Sequence, residues 1–187
     1  MLRSALLPHQ HVLDAIARLP ERTLQPGTPV ADAFLARGVF SFQHACIWAW
    51  ELPYGCNKSI DDVMILFADG FGTCFTKHGV IAKLAKELGL PVYKQLGFYR
   101  LTDEIITGTN AALEPYGYPF IPQIHCFLDY QGLRVDLTEG NDHGKNKTID
   151  AYDFIVTLDH EPTREEMQRV YTSHLERYVR IEPKLAR

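Results

Sequence analysis

A cysteine between a glycine-rich turn and a helical pattern is the residue best suited to chemistry in this chain. Cys74 follows "ADGFG" (residues 68–72) and opens the run "CFTKHGVIAKLAKELGLPV". At a helix N-terminus, unpaired backbone N–H groups and the positive end of the helix dipole favour a thiolate over a thiol. Three interpretations follow for Cys74: a nucleophile, a metal ligand or an ordinary core cysteine.

A nucleophilic thiolate needs two partners to transfer an acyl group. A histidine must protonate the leaving group, and an acid or amide must hold that histidine. His125 and Asp136 lie in the strand-like runs "QIHCFLDY" and "LRVDLT", which meet at Gln131–Gly132. A turn of two or four residues would put both side chains on one face of a hairpin, whereas a three-residue turn would separate them.

These segments resemble the transglutaminase-like superfamily, and most closely its small bacterial members. The resemblance lies in "GTCFTKHGVIAKLAKELGLPV", "IHCFLDYQGLRVDLT" and, upstream, "LPYG", so it spans roughly residues 50–140. It implies an α+β, cysteine-protease-like (papain-like) fold with a catalytic triad of Cys74, His125 and Asp136. It also implies a thioester on the cysteine, passage of the acyl group to water or an amine, and no cofactor.

Two positions depart from larger members of that superfamily. Those members often carry an aromatic residue in an H-x-W pattern and a proline after the aspartate, where this chain has Phe127 and Leu137. The triad is intact, but the substrate stays open. We therefore expect a thiol hydrolase (peptidase or amidase) or an acyltransferase acting on a peptide, a protein or a small amide or acyl compound.

An oxyanion hole would need the Cys74 backbone N–H and a second donor. Tyr54 and Asn57, in "LPYGCN", are the first candidates because that segment is expected near the helix that Cys74 opens. Gln43 and Trp50 are the alternatives.

Two rival interpretations use the same residues differently. Cys74 and His78 form a C-x-x-x-H pair that His125 and Asp136 would complete as a metal site. We favour His78 as a neighbour that supports the triad, with no metal bound. The other rival is a transglutaminase-like binding or interaction module whose thiol is unused. His143 could reach the site from its polar loop, although a solvated turn is the favoured interpretation.

The elements that must position these residues follow an α+β order: helices, then antiparallel strands, then a closing helix. We expect N-terminal helices packed on the sheet, in one domain over residues 1–187. Residues 102–122 lack helical and strand periodicity and are interpreted as a long loop that could act as a lid. The predicted helices cover 9–19, 28–38, 40–50, 75–88 and the run after a Thr163–Glu166 capping box, with a strand as the alternative for 40–50. The predicted strands are "VYKQLGFY", the two hairpin runs and "FIVTL".

Composition excludes two classes of partner. The net charge of −4 offers no basic surplus for a nucleic-acid backbone. No stretch approaches the roughly 20 apolar residues of a membrane-spanning helix, so we expect no membrane partner.

The leucine-rich N-terminal patch is broken at Pro8 before it becomes a signal-peptide core. We therefore expect a cytoplasmic protein whose four cysteines are free thiols.

Overall fold

The computed structural model describes residues 7–141, 144–149, 151–158 and 162–182. These residues form an α+β fold with a four-stranded antiparallel sheet in the order β3-β2-β1-β4, which confirms the predicted fold class at that level. The elements, in chain order, are α1 (Leu7–Ile16), α2 (Pro29–Leu35), α3 (Phe42–Glu51), α4 (Ile65–Asp69), α5 (Cys74–Glu87), β1 (Tyr93–Leu101), α6 (Thr109–Leu113), a 3-10 helix (Glu114–Tyr116), β2 (Ile121–Tyr130), β3 (Leu133–Val135), β4 (Phe154–Leu158) and α7 (Arg164–Ile181).

The chain divides into two compact units. The described residues of the first unit fall in Met1–Gln95, Cys126–His143 and Thr157–Glu161. Those of the second fall in Leu96–His125, Gly144–Val156 and Pro162–Arg187. The expectation of one domain over the whole chain stays a prediction.

Helix α5 lies in the core of the first unit. Val80, Ile81, Leu84 and Ala85 recur at helical spacing and are fully buried. They join a cluster built from α1, α2 and α3 together with Leu128 and other apolar residues of the β2–β3 hairpin. Burial of this face fixes the direction of α5, and therefore the place of its first residue.

The β2–β3 hairpin has a two-residue turn. Gln131 and Gly132 both have positive φ, at 53° and 86°, which is the conformation of a type I′ turn. The paired residues are Leu128–Val135, Asp129–Arg134 and Tyr130–Leu133. Extended outward, this register sets Asp136 opposite Phe127 and gives it the same parity as His125, the arrangement that the sequence required for one shared face.

The second unit has its own aromatic and aliphatic packing. Tyr178 of α7 is fully buried, and its hydroxyl donates to Asp153 Oδ2 at 3.0 Å. Desolvation and this carboxylate raise the pKa of Tyr178 well above its usual range. His174, one turn earlier on α7, stacks on Phe98 of β1 with ring centroids 4.1 Å apart.

Several boundaries differ from the sequence predictions. Strand β3 ends at Val135, so Asp136 lies just beyond it, and α4 was not predicted. Residues 102–122 are not a structureless loop, because they contain α6, a 3-10 helix and the first residues of β2. Short helices of five residues or fewer have too little periodicity to be recognised in a Gly- and Pro-rich run. Of the helices described, none combines the length and apolarity needed to cross a bilayer.

We predict that substitutions at the two turn positions change the stability of the protein differently. Gly132→Ala should lower the free energy of unfolding by about 1 kcal/mol, because an added Cβ disfavours positive φ. Gln131→Asn should leave it unchanged or raise it by a few tenths of a kcal/mol, since asparagine tolerates that conformation better. Urea denaturation of both variants measures this. Equal destabilisation by both changes would contradict the type I′ turn.

Candidate active site

Cys74 is the first residue of α5 and is partly exposed. Thr73 is the N-cap, in extended conformation, and its backbone N–H donates to Thr76 Oγ1 at 3.0 Å. The Thr76 side chain therefore accepts a hydrogen bond across the first turn and holds the start of the helix in place. The Cys74 sulfur is attached where the helix dipole is positive.

The turn before Cys74 is tightly packed. Gly72 donates to Pro53 O at 3.1 Å and accepts from Gly55 N at 3.2 Å, so the segment that carries Tyr54 runs parallel to it. A Cβ on Gly72 would lie only 2.5 Å from side-chain atoms of both Leu66 and Thr76. Glycine is therefore required at position 72 for close approach, and Tyr54 lies beside the turn that leads into Cys74.

The side chain of Asn57 braces this turn and uses both of its amide hydrogens in doing so. Its Nδ2 donates to Asp69 Oδ2 and to Phe71 O, both at 2.9 Å, and its Oδ1 accepts from Thr76 Oγ1 at 2.7 Å. Two donated bonds use both amide hydrogens. The Asn57 side chain therefore braces the turn, and Tyr54 and Asn57 as oxyanion or substrate residues stay predictions.

The two alternative donors are also engaged. Trp50 Nε1 donates to Glu139 O at 2.8 Å. Gln43 Nε2 donates to Leu19 O at 2.7 Å and to Ala17 O at 3.3 Å, which ties α3 to the end of α1. Both side chains hold helices in place within the first unit.

His78 connects α5 to the segment after the hairpin. It is fully buried; Nδ1 lies 2.6 Å from Cys74 O, and Nε2 accepts from the Leu137 N–H at 2.7 Å. A carbonyl only accepts and an N–H only donates, so these partners assign a neutral ring with its proton on Nδ1. The 3.6 Å approach of Nε2 to Asp136 Oδ1 is then a contact between two acceptors and not an ion pair.

Asp136 is held by the residue two positions later. Its Oδ1 accepts from Thr138 N at 2.8 Å and from Thr138 Oγ1 at 2.7 Å. This is the side-chain turn that aspartate often forms with the backbone two residues on. Thr138 is completely buried, so the orientation of the carboxyl group is fixed from inside the first unit.

Lys77 is a buried cation next to these groups. Its Nζ donates to Trp50 O at 3.2 Å, and also to Leu52 O and Asn141 Oδ1. Burial lowers the pKa of Lys77 to about 8, while the Asp136 carboxylate acts in the opposite direction. Lys77 therefore carries its charge at neutral pH among three oxygen acceptors, where it joins the end of α3 to the segment after β3.

His125 belongs to the second unit and is almost fully buried, with 1% of its surface exposed. Its Nδ1 lies 3.1 Å from Lys145 Nζ. Lys145 was not among the predicted site residues. Cys74 and Asp136 belong to the first unit, where His78 lies between the Cys74 carbonyl and the residue that follows Asp136.

The four cysteines are all free, as predicted, but they differ in environment. Burial is the main cause that raises the pKa of the Cys46 thiol far above its usual range, so this thiol is inert. Cys126 is buried and Cys56 is exposed. Cys74 is the one that begins a helix.

The metal-site interpretation does not fit His78. A metal ligand needs an imidazole lone pair, and the Nε2 lone pair accepts the Leu137 N–H while Nδ1 carries the proton. Within the described ranges, no three His, Cys, Asp or Glu side chains are grouped as metal ligands. His143 lies outside the described residues.

Comparisons with protein-family models, with curated proteins and with solved structures found no match for this chain. The transglutaminase-like resemblance therefore stays a hypothesis based on the motifs.

Sequence reasoning missed two side chains that contact predicted site residues: Thr138 at Asp136 and Lys145 at His125. The D-x-T spacing of Asp136 and Thr138 could have indicated the turn that holds the carboxyl group. Lys145 gave no local signal, because His125 is distant from it in sequence. Lys77 was expected only as a positive charge in the first turn of the helix, and its burial among distant oxygen acceptors was not predicted.

We predict that Asp136 keeps Lys77 protonated to higher pH. Asp136→Asn removes the negative charge that raises the pKa of Lys77, so that pKa should fall below its value of about 8. Side-chain NMR of labelled lysine, followed from pH 6 to pH 11, measures the midpoint. Asp129→Asn, in the same hairpin, is the matched control and should leave it in place; a shift in both variants, or in neither, would contradict the coupling.

Proposed function

We propose that this protein is a thiol-dependent acyl-transfer enzyme in which Cys74 attacks, His125 carries the proton and Asp136 orients His125. The observation that carries the proposal is the hydrogen-bonded connection from the Cys74 carbonyl through His78 to Leu137, next to Asp136. It ties the start of the thiol-bearing helix to the position of the carboxylate within one unit.

The proposed reaction has two steps. The Cys74 sulfur bonds to a carbonyl carbon, its proton passes to His125, and the bond to the leaving amine breaks as His125 protonates that amine. The product is a thioester on Cys74. Water or a second amine then attacks the carbonyl carbon of the thioester, and His125 accepts a proton from the attacking group. The carbon–sulfur bond breaks, the acyl group leaves with the attacking group, and the Cys74 sulfur takes the proton back from His125. No oxidant, reductant or metal takes part in either step.

The helix start supports the first step. A thiolate at the first residue of a helix is stabilised by the helix dipole, a term of about 0.3–1 kcal/mol at an exposed site and about 2 kcal/mol when partly buried. Cys74 is partly buried. The proposal assigns further stabilisation of the thiolate to His125.

The hairpin register supports the pairing of His125 with Asp136. The two-residue turn gives these residues the same parity. Arg134, on the same face of β3, lies with its guanidinium 5.4 Å from the Phe127 ring centroid, as expected for residues that alternate in this way.

The substrate of this proposal is an amide or acyl compound, either peptide, protein or small molecule, in a reducing cytoplasmic compartment. The four free thiols are consistent with such a compartment. The resemblance to hydrolases and amine transferases leaves both outcomes of the second step in the proposal.

A second candidate function is a binding module whose thiol is unused. The observation that favours it is the Lys145 ammonium at His125 Nδ1, which occupies a nitrogen that could accept a proton. Reactivity of the thiol separates the two candidates.

We predict that Cys74 is the fast thiol of this protein and that His125 makes it so. At pH 6, iodoacetamide should modify Cys74 at least about ten-fold faster than Cys56, an exposed cysteine that serves as the internal control. His125→Ala should bring the rate at Cys74 close to that at Cys56 and leave Cys56 unchanged. Peptide mapping of timed reactions gives both rates.

An unaltered Cys74 rate in His125→Ala would sink the enzyme proposal and favour the binding module. Thermal unfolding of the variant is the necessary control, because His125 is buried.

A further inference from the structure

We propose that Lys145 is a positioning residue for His125: it donates to Nδ1 and keeps the imidazole neutral, with its proton on Nε2, in the resting enzyme. The Lys145 Nζ and His125 Nδ1 atoms are 3.1 Å apart. The catalytic meaning of this contact rests on the proposed function, but the protonation state that it sets does not.

The direction of the hydrogen bond follows from the chemistry of the two groups. A lysine ammonium has three donors and no acceptor, so Nδ1 must accept. With Nδ1 as acceptor, the proton of a neutral ring is on Nε2. A second positive charge on the ring would lie against Nζ in a place where His125 has only 1% exposure, and two like charges in a poorly solvated site repel strongly.

Lys145 is held in place by the residues after it. The Asn146 backbone N–H donates to Ile105 O at 2.7 Å, and Asn146 Nδ2 donates to Thr107 Oγ1 at 3.0 Å. Lys147 Nζ lies 2.8 Å from Glu104 Oε2. These contacts fasten the segment 144–149 to the segment that follows β1, so the ammonium of Lys145 reaches His125 from an anchored backbone.

The second unit has other charged or titratable groups on β1 and α7: Arg100 and His174. Both have contacts elsewhere in that unit. Arg100 Nε is 3.1 Å from Asp153 Oδ2, and His174 stacks on Phe98. Lys145 is the cation with a described hydrogen bond to the His125 ring.

This arrangement restrains His125 as a base. To take a proton on Nδ1, the ring must first lose the Lys145 hydrogen bond. To take one on Nε2, it must first move its proton to Nδ1, which Lys145 opposes. Lys145 therefore lowers the proton affinity of His125 until the ammonium shifts to another acceptor, such as an oxygen of the bound acyl substrate. In the resting enzyme, the Nε2–H of the neutral ring still stabilises the Cys74 thiolate as a hydrogen-bond donor, and this is the effect that the iodoacetamide comparison measures.

The test is NMR of the histidine ring nitrogens in the full-length protein. At pH 7, we expect the wild-type His125 ring to be neutral and protonated on Nε2. Lys145→Met should move the midpoint of the His125 titration at least about 1 unit to higher pH, because a like charge has been removed. Lys145→Arg, which keeps the charge, should restore most of the wild-type midpoint.

Lys147→Met is the matched control, since this lysine comes from the same segment and contacts Glu104 instead. It should leave the His125 titration unchanged. A wild-type ring protonated on Nδ1, or identical midpoints in wild type and Lys145→Met, would overturn the inference; the first of these readings needs no variant to fold. Neither readout depends on activity, so an unreactive Cys74 would refute the proposed function and leave this inference standing.

Discussion

Two hydrogen bonds of one buried imidazole organise the candidate site. His78 donates to the Cys74 carbonyl and accepts from the Leu137 N–H, with the proton of the neutral ring on Nδ1. Breaking either bond while the ring stays buried would cost about 1–3 kcal/mol of folding free energy, so both bonds stabilise the folded first unit. Because His78 is one turn after Cys74 on α5, the thiol-bearing turn and the residue after Asp136 cannot move independently.

Around Lys77, uncharged oxygen atoms stabilise the buried positive charge more than an ion pair does. Lys77 is fully buried, yet its ammonium meets two backbone carbonyls and one amide oxygen. The effective desolvation penalty of a buried ion is several kcal/mol, and hydrogen bonds to a charged group return about 1.5–3 kcal/mol each. Three such bonds can offset most of the penalty. The lowered pKa of Lys77, about 8, agrees with a charge that is tolerated at neutral pH and readily lost above it.

Sequence patterns predicted the parts of the structure that depend on local order. The apolar spacing of α5 predicted the helix that begins at Cys74, and the Gln131–Gly132 pair predicted the hairpin. The parity of His125 with Asp136 depended on the turn length, which the structure gives as two residues. The patterns could not show that both amide hydrogens of Asn57 are used, or that Lys145 reaches His125, because those pairings join segments that are far apart in sequence. Residues 102–122 were misread since their helices are too short to show a period.

The central claim is that the Cys74 sulfur accepts an acyl group. Its most direct test is the intact mass of the protein after exposure to a panel of acyl-glutamine peptides, amides and thioesters. We predict a mass increase equal to the acyl group, located at Cys74 by peptide mapping. The increase should be absent in Cys74→Ala and retained in Cys56→Ala, which removes the exposed thiol of Cys56. An adduct that persists in Cys74→Ala, or that maps to Cys56 instead, would contradict it.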